Sequence, residues 1–106
     1  MKKVAAIAGM ALCALAATAW AATVTVEQRG RSFGVAELTV KVGDTVTFVN
    51  NDIYGHNVYS DTKDAEFDIG LQEPGETLDV TFDGAVIAKV RCRIHPRMRL
   101  QITVTE

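Results

Sequence analysis

From residue 23 onward the chain is written in short runs where apolar and polar side chains alternate, as in TVTVEQ at 23–28 and TVTF at 45–48. A period of two sends successive side chains to opposite faces of a strand. On this reading strands are predicted at 23–28, 36–42, 45–51, 56–60, 77–82, 88–92 and 100–106, all rich in Val, Thr, Ile and Phe. Turn signals separate them: Gly30, Gly43-Asp44, Asn50-Asn51-Asp52, Pro74-Gly75 and Asp83-Gly84. After residue 22 no run carries the helical period, and neither a repeat nor a low-complexity linker interrupts the pattern. Short, closely spaced strands predict an all-β fold, a β-sandwich or small barrel. Its core is expected from Val46, Phe48, Val58, Phe67, Leu78, Val80, Phe82, Val86, Val90, Ile102 and Val104.

The first 21 residues follow another pattern. Lys2 and Lys3 precede an apolar stretch from Val4 to Ala17, and Ala19-Trp20-Ala21 has the small-x-small form of a cleavage site. This predicts a secretory signal peptide over 1–21, too short an apolar run for a spanning helix, and one mature domain over 22–106. Export to the periplasm follows, with no membrane span after processing. Cys13 lies inside the apolar stretch behind Leu12, a poor context for lipid attachment.

Removing the leader leaves nine basic and thirteen acidic residues, a net charge of about −4, which argues against nucleic-acid binding. The charge is uneven. Acids crowd residues 61–83, whereas Arg91, Arg93, Arg97 and Arg99 cluster near the end of the chain.

That arginine cluster surrounds Cys92, His95 and Met98, spaced three residues apart. Cys92 is the lone cysteine of the mature domain, so no intrachain disulfide can occupy it. With Val90 pointing inward, alternation turns Cys92 inward at a strand end, where loops fold over the mouth of a sandwich. His56 is the other histidine of the chain, and Met98 the one methionine of the mature domain. Taken singly, each has a bland structural reading. Together, one thiolate, two imidazoles and a weak thioether form a ligand set that serves copper in both oxidation states. Zinc would use the cysteine and histidines but seldom the thioether. With all positions filled by protein, no site stays open for a substrate, so a carrier is expected rather than an enzyme.

The stretch HNV at 56–58, followed by C-x-x-H-x-x-M at 92–98, resembles the type 1 copper signature of the cupredoxins. The short HPRMR loop is most similar to the amicyanin, plastocyanin and pseudoazurin branch, and FDIGLQEPGETLDVTF resembles bacterial methylamine-utilisation proteins. The resemblance implies a Greek-key β-sandwich with one copper ion, cycling between Cu(I) and Cu(II), at one end. It implies His56, Cys92, His95 and Met98 as ligands, with His95 the solvent-edge imidazole through which electrons pass. It implies Asn57 as a polar support tying the two ligand loops together. Single electrons would pass to and from redox proteins such as c-type cytochromes or a periplasmic dehydrogenase, with the protein acting as a monomer.

Three departures from that pattern matter. The aromatic often found two residues before the cysteine is Val90, which weakens a second electron route. Ile94 stands where amicyanin-like loops carry proline, so its N–H is expected to donate a second hydrogen bond to the thiolate. Arg93, Arg97 and Arg99 are expected on a rim that is usually apolar. One charge about 10 Å away through water changes the metal's energy by roughly 0.4 kcal/mol, or about 20 mV, so attraction of an acidic partner is the better use. The alternative function is a copper-binding protein for trafficking or resistance, and a zinc site or enzyme subunit ranks below it.

Overall fold

A computed structural model describes residues 20–106. The predicted leader lies outside the described residues except for Trp20 and Ala21. Eight strands follow in order: β1 (Thr23–Gln28), β2 (Glu37–Lys41), β3 (Thr45–Asn50), β4 (His56–Ser60), β5 (Phe67–Gln72), β6 (Thr77–Thr81), β7 (Val86–Cys92) and β8 (Arg99–Thr105). They form two sheets, ordered β1-β3-β6 and β2-β8-β7-β4-β5, and no helix occurs among the described residues. The architecture is the expected cupredoxin-like sandwich.

Seven of the strands sit where alternation predicts them. The eighth, β5, escapes that reading because Gly70, at φ 73°, interrupts it, and its outer residues Asp68 and Leu71 are exposed. It is an edge strand, paired only with β4 across a register shift between Asn57 and Tyr59.

Two parallel pairs join distant segments: β1 with β3, and β2 with β8. The antiparallel β7–β8 hairpin opposes Arg91 to Arg99, leaving residues 93–98 as its connecting loop. Next to it, β4 pairs with β7 so that Val58 faces Cys92. This pairing fixes the site, because it brings the start of β4, where His56 stands, against the end of β7.

The core runs between the sheets through Val46, Phe48, Val58, Val90 and Ile102, with Val26, Val40, Ala88 and Leu100 added to the expected set. Phe48 packs edge-on to Phe33 at 6.3 Å between centroids. Phe67 and Val86 are partly buried. Leu78 is the exception, 40% exposed, because β6 is an edge strand that the other sheet covers incompletely.

Beneath the end where β4 starts and β7 finishes, the interior turns polar. Gln28, Asn50 and Gln72 are fully buried. Gln28 Nε2 donates to Gln72 Oε1 at 2.7 Å, while Gln72 Nε2 donates to the Phe48 and Glu76 carbonyls. Asn50 Nδ2 donates to the carbonyls of Tyr54 and Gln72, and its Oδ1 accepts from Asp52 N–H. Buried amides are tolerable only when so paired. This one network clamps the Asn50–Tyr54 turn to β5.

Truncating Phe48 to Ala should cost about 3–5 kcal/mol, whereas Leu78→Ala should cost under about 1 kcal/mol. Urea denaturation of the apo-protein measures both; equal losses would show that the exposed face of β6 is part of the core.

Candidate metal centre

His56 opens β4, Cys92 ends β7, and His95 lies in the loop that follows. Their ligand atoms converge. Cys92 Sγ lies 3.8 Å from His56 Nδ1 and 3.9 Å from His95 Nδ1, and the two nitrogens are 3.1 Å apart. The point equidistant from all three falls about 2.1 Å from each, the length of a bond from a divalent transition metal to nitrogen or sulfur. A cation fits a triangle of lone pairs that has no side-chain donor at its centre. His56 and Cys92 are buried, and His95 is half-buried at the surface edge.

Met98 belongs to the same loop and is 1% exposed. Its N–H donates to the His95 carbonyl at 2.9 Å, so one turn fixes both residues. The donor set is thus imidazole, imidazole and cysteine sulfur with a buried thioether beside them. That softness and the near-trigonal spacing fit copper.

The ring of His56 is aimed by a residue that the alternation pattern did not single out. Its Nε2 lies 3.0 Å from Asp52 Oδ2 in the buried interior. An anionic acceptor there keeps the proton on Nε2 and frees the Nδ1 lone pair for metal. Burial pushes the Asp52 carboxyl up. The N–H of Arg31, the His56 ring and the N–H of Ile53 outweigh that and bring its pKa down to about 2. Asp52 stands four residues before His56, inside a stretch read only as a turn.

Arg31 touches both histidines indirectly. Its N–H donates to Asp52 Oδ2 at 2.7 Å, and its guanidinium lies 5.2 Å from the centre of the Tyr54 ring. Tyr54 in turn meets His95 edge-on at 5.9 Å. The Arg31 backbone is left-handed, φ 56°, directly after Gly30 at φ 63°. A non-glycine residue rarely adopts that conformation unless its surroundings enforce it. Burial holds the His95 pKa below the ordinary imidazole value, and the neighbouring His56 and Arg31 charges add to this against Asp52. A lowered pKa favours the neutral ring, which has one nitrogen free to bind a metal.

The expected supports divide. Asn57 N–H donates to Cys92 Sγ at 3.4 Å, so its backbone links the two ligand strands. Its side chain turns elsewhere: Nδ2 donates to Asp68 Oδ1 at 2.7 Å and to the Gly70 carbonyl at 2.9 Å, tying β4 to β5. Ile94 makes no hydrogen bond to the sulfur; among the described residues Asn57 supplies the one backbone donor. The way the loop winds after Cys92 leaves the Ile94 side chain 49% exposed.

The arginines separate onto two surfaces. Arg97 lines the cleft beside His95 with Gly30, Arg31, Ile94 and Pro96. Arg93 instead lies 3.8 Å over the Tyr59 ring and 3.4 Å from Asp68. Arg91 and Arg99 stand opposite each other on β7 and β8, so this second group faces the flank.

Comparison with known proteins agrees with this centre. The profile described as copper-binding proteins of the plastocyanin/azurin family matches residues 20–105. Methylamine utilization protein MauL of Methylorubrum extorquens is 35% identical over 68 residues, 63% of this chain and 60% of its own length. The chain thus spans less than two thirds of that relative. An oxidised amicyanin variant superposes at TM-score 0.71 with 28% identity, covering 77% of this chain and 81% of amicyanin. A copper-containing nitrite reductase from Thermus scotoductus superposes at TM-score 0.73 with 33% identity, over 79% of this chain but 22% of the reductase.

Asp52→Asn should weaken copper binding about 10- to 100-fold in competition with a chelator. The Asp52 carboxyl is depressed from 3.8 to about 2. Its contribution to apo-protein stability is therefore complete above about pH 4 and lost as the pH falls toward 2. The stability gap between the native protein and Asp52→Asn should close over that window; a gap that stays constant from pH 5 to pH 2 would exclude the carboxylate as its source.

Proposed function

Because the chain belongs to the plastocyanin/azurin family of copper-binding proteins, we propose that it is a periplasmic carrier shuttling single electrons between redox proteins. The observation that carries this reading is the triangle of His56 Nδ1, Cys92 Sγ and His95 Nδ1, closed on three protein donors with Met98 buried beside it. Bound copper supplies a one-electron Cu(I)/Cu(II) couple. The protein's part is to hold the donors still, so that little rearrangement accompanies the change of charge. Cys92 would give the soft thiolate, His56 the interior nitrogen aimed by Asp52, His95 the nitrogen at the surface, and Met98 a weak thioether from the same loop.

His95 is the natural port. It alone of the three close donors reaches the surface, and exposed Ile53, Tyr54 and Ile94 lie in the neighbouring loops. A trafficking role for the same ligands calls for an ion that leaves readily. A fully buried His56 and a Met98 exposed by 1% oppose release and favour the carrier. The relative's printed role in methylamine utilization supports a periplasmic amine-oxidising dehydrogenase as one partner, with a c-type cytochrome as the other. Arg97, joined by Arg31 in the cleft beside His95, would draw an acidic face toward the port. Arg93, partly neutralised by Asp68, and Arg99 on the flank would add attraction at longer range.

Loading the mature protein with Cu(II) should give the intense visible absorption of a copper–thiolate bond, and Cys92→Ser should abolish it. A colourless wild-type protein under oxidising, copper-replete conditions would refute the carrier. Electron exchange with an acidic redox protein should slow as salt rises, and Arg97→Ala should slow it about two- to tenfold at low ionic strength. A rate indifferent to both would remove the steering role.

A further inference from the structure

The other end of β1 carries a feature unrelated to the metal. Among the described residues, ordered hydrogen bonding begins at Ala22. Its carbonyl accepts from Thr45 N–H at 2.9 Å, and its nitrogen donates to Asp44 Oδ1 at 2.9 Å. Trp20, two residues earlier, is 90% exposed. The Ala19-Trp20-Ala21 motif points to the same peptide bond from sequence alone. Two independent observations thus meet at Ala21–Ala22.

Asp44 is built to receive something there. The residue is 8% exposed, and Oδ2 accepts Lys41 N–H at 2.9 Å across the tight turn that Gly43 makes at φ 92°. No cationic side chain lies within ion-pair distance of it among the described residues. With Ala22 still an amide, the carboxylate has two backbone donors and only the unbonded charge of Lys41 nearby. The hydrogen bond from Ala22, then that from Lys41, hold its pKa below the usual carboxylate range.

We propose that Asp44 is the receptor for the α-ammonium group created when the leader is cut after Ala21. The inference rests on the export reading above. Hydrolysis by a leader peptidase consumes one water, leaves a carboxylate on Ala21 of the released leader, and leaves an ammonium on Ala22. That ammonium replaces an amide donor with a full positive charge at a position already occupied by the nitrogen. It also sets the register of β1, an edge strand held on one side only, through the Thr23–Thr45 pairing that follows. A slip of one residue would turn Val26 away from the core. Removal of the leader thus completes the fold at this end instead of merely trimming it.

The ion pair has a defined pH window. An ammonium gaining a partner has a raised pKa, so its contribution is present below about pH 7.7 and fades as the pH rises through the new value. The carboxylate, lowered from 3.8, contributes above that value and is lost below it. Lys41 is the other titratable group lining this cleft beside Thr39 and Thr105, and Glu106 follows Thr105.

The test begins with mass spectrometry of the exported protein, which should start at Ala22; another start would overturn the inference while leaving export intact, and a chain retained unprocessed in the cell would overturn the export reading. On that mature protein, NMR titration of the Ala22 amine should give a pKa raised by about half a unit over the ordinary ~7.7. Asp44→Asn should return it to the ordinary value. Equal amine pKa values in the two proteins overturn the receptor while leaving the export reading intact. A protein retaining Ala21 should melt about 2–5 °C lower at pH 7, the difference vanishing above about pH 9. Equal melting at every pH would likewise overturn the proposal.

Discussion

Three lone-pair donors face one another across less than 4 Å at one end of the sandwich, the two ring nitrogens only 3.1 Å apart. Left to themselves, two such nitrogens share at most one proton and otherwise repel. A cation between them turns that repulsion into three favourable contacts of charge with dipole or anion, from two rings and one sulfur. The surrounding structure exists in large part to hold this unfavourable arrangement in place before the ion arrives. Asp52 accepts from the back of His56 and is itself held by the Arg31 and Ile53 amides. Asn50, Gln72 and Gln28 then fasten that turn to the strands behind it.

This polar support changes how the domain has to be stabilised. A core of Val, Ile, Leu and Phe tolerates repacking, but a chain of amides and carboxylates works only when each member is satisfied. Most are. Gln28 Oε1 and Asn57 Oδ1 have no partner among the described residues. Each sits beside an amide nitrogen that is well bonded, to Gln72 in one case and to Asp68 and Gly70 in the other. The structure thus satisfies the donors that fix orientation and leaves an acceptor short. An unmet carbonyl-type oxygen costs less than an unmet N–H, because its second lone pair is often idle in any case. The network aims ligands first and maximises bonding second.

Alternation alone located seven strands and turned Val90 and Cys92 inward, since period-two burial is a direct consequence of strand geometry. It failed where that geometry bends: β5, with a left-handed glycine, and Leu78 on an edge strand, whose burial depends on the partner sheet. The ligands were legible for a different reason. Histidine, cysteine and methionine are scarce in this chain, so their concentration carries information that abundant residues cannot. Asp52 and Arg31 were not legible. Aspartate in a turn and arginine in a loop are common, and only the fold brings β1 and the Asn50–Tyr54 turn together. For Asn57 the residue was found but its task was not, because the backbone N–H meets the sulfur and the side chain serves β5.

Strand direction also explains how an acidic domain presents basic residues at its metal. β4 starts at His56 and runs away from the centre, so Asp61, Asp64 and Glu66 follow at the opposite end, where Asp83 enters β7. β7 returns and delivers Arg91, Arg93 and Arg97 to the copper end, and β8 leaves it with Arg99. The result is a dipole along the strands laid over a net charge of about −4 for residues 22–106. Net charge sets whether an acidic partner is attracted at long range, and here it opposes approach. At the copper end Asp52, Asp68 and Glu73 offset part of the arginine charge, while Arg31 and Arg97 line the cleft beside His95. On the proposed reading, the dipole would turn the molecule so that His95 arrives first. For the carrier proposed above, with one half-buried ring as its donor edge, orientation would limit the productive fraction of encounters more than attraction does, and that is the property this charge arrangement would supply.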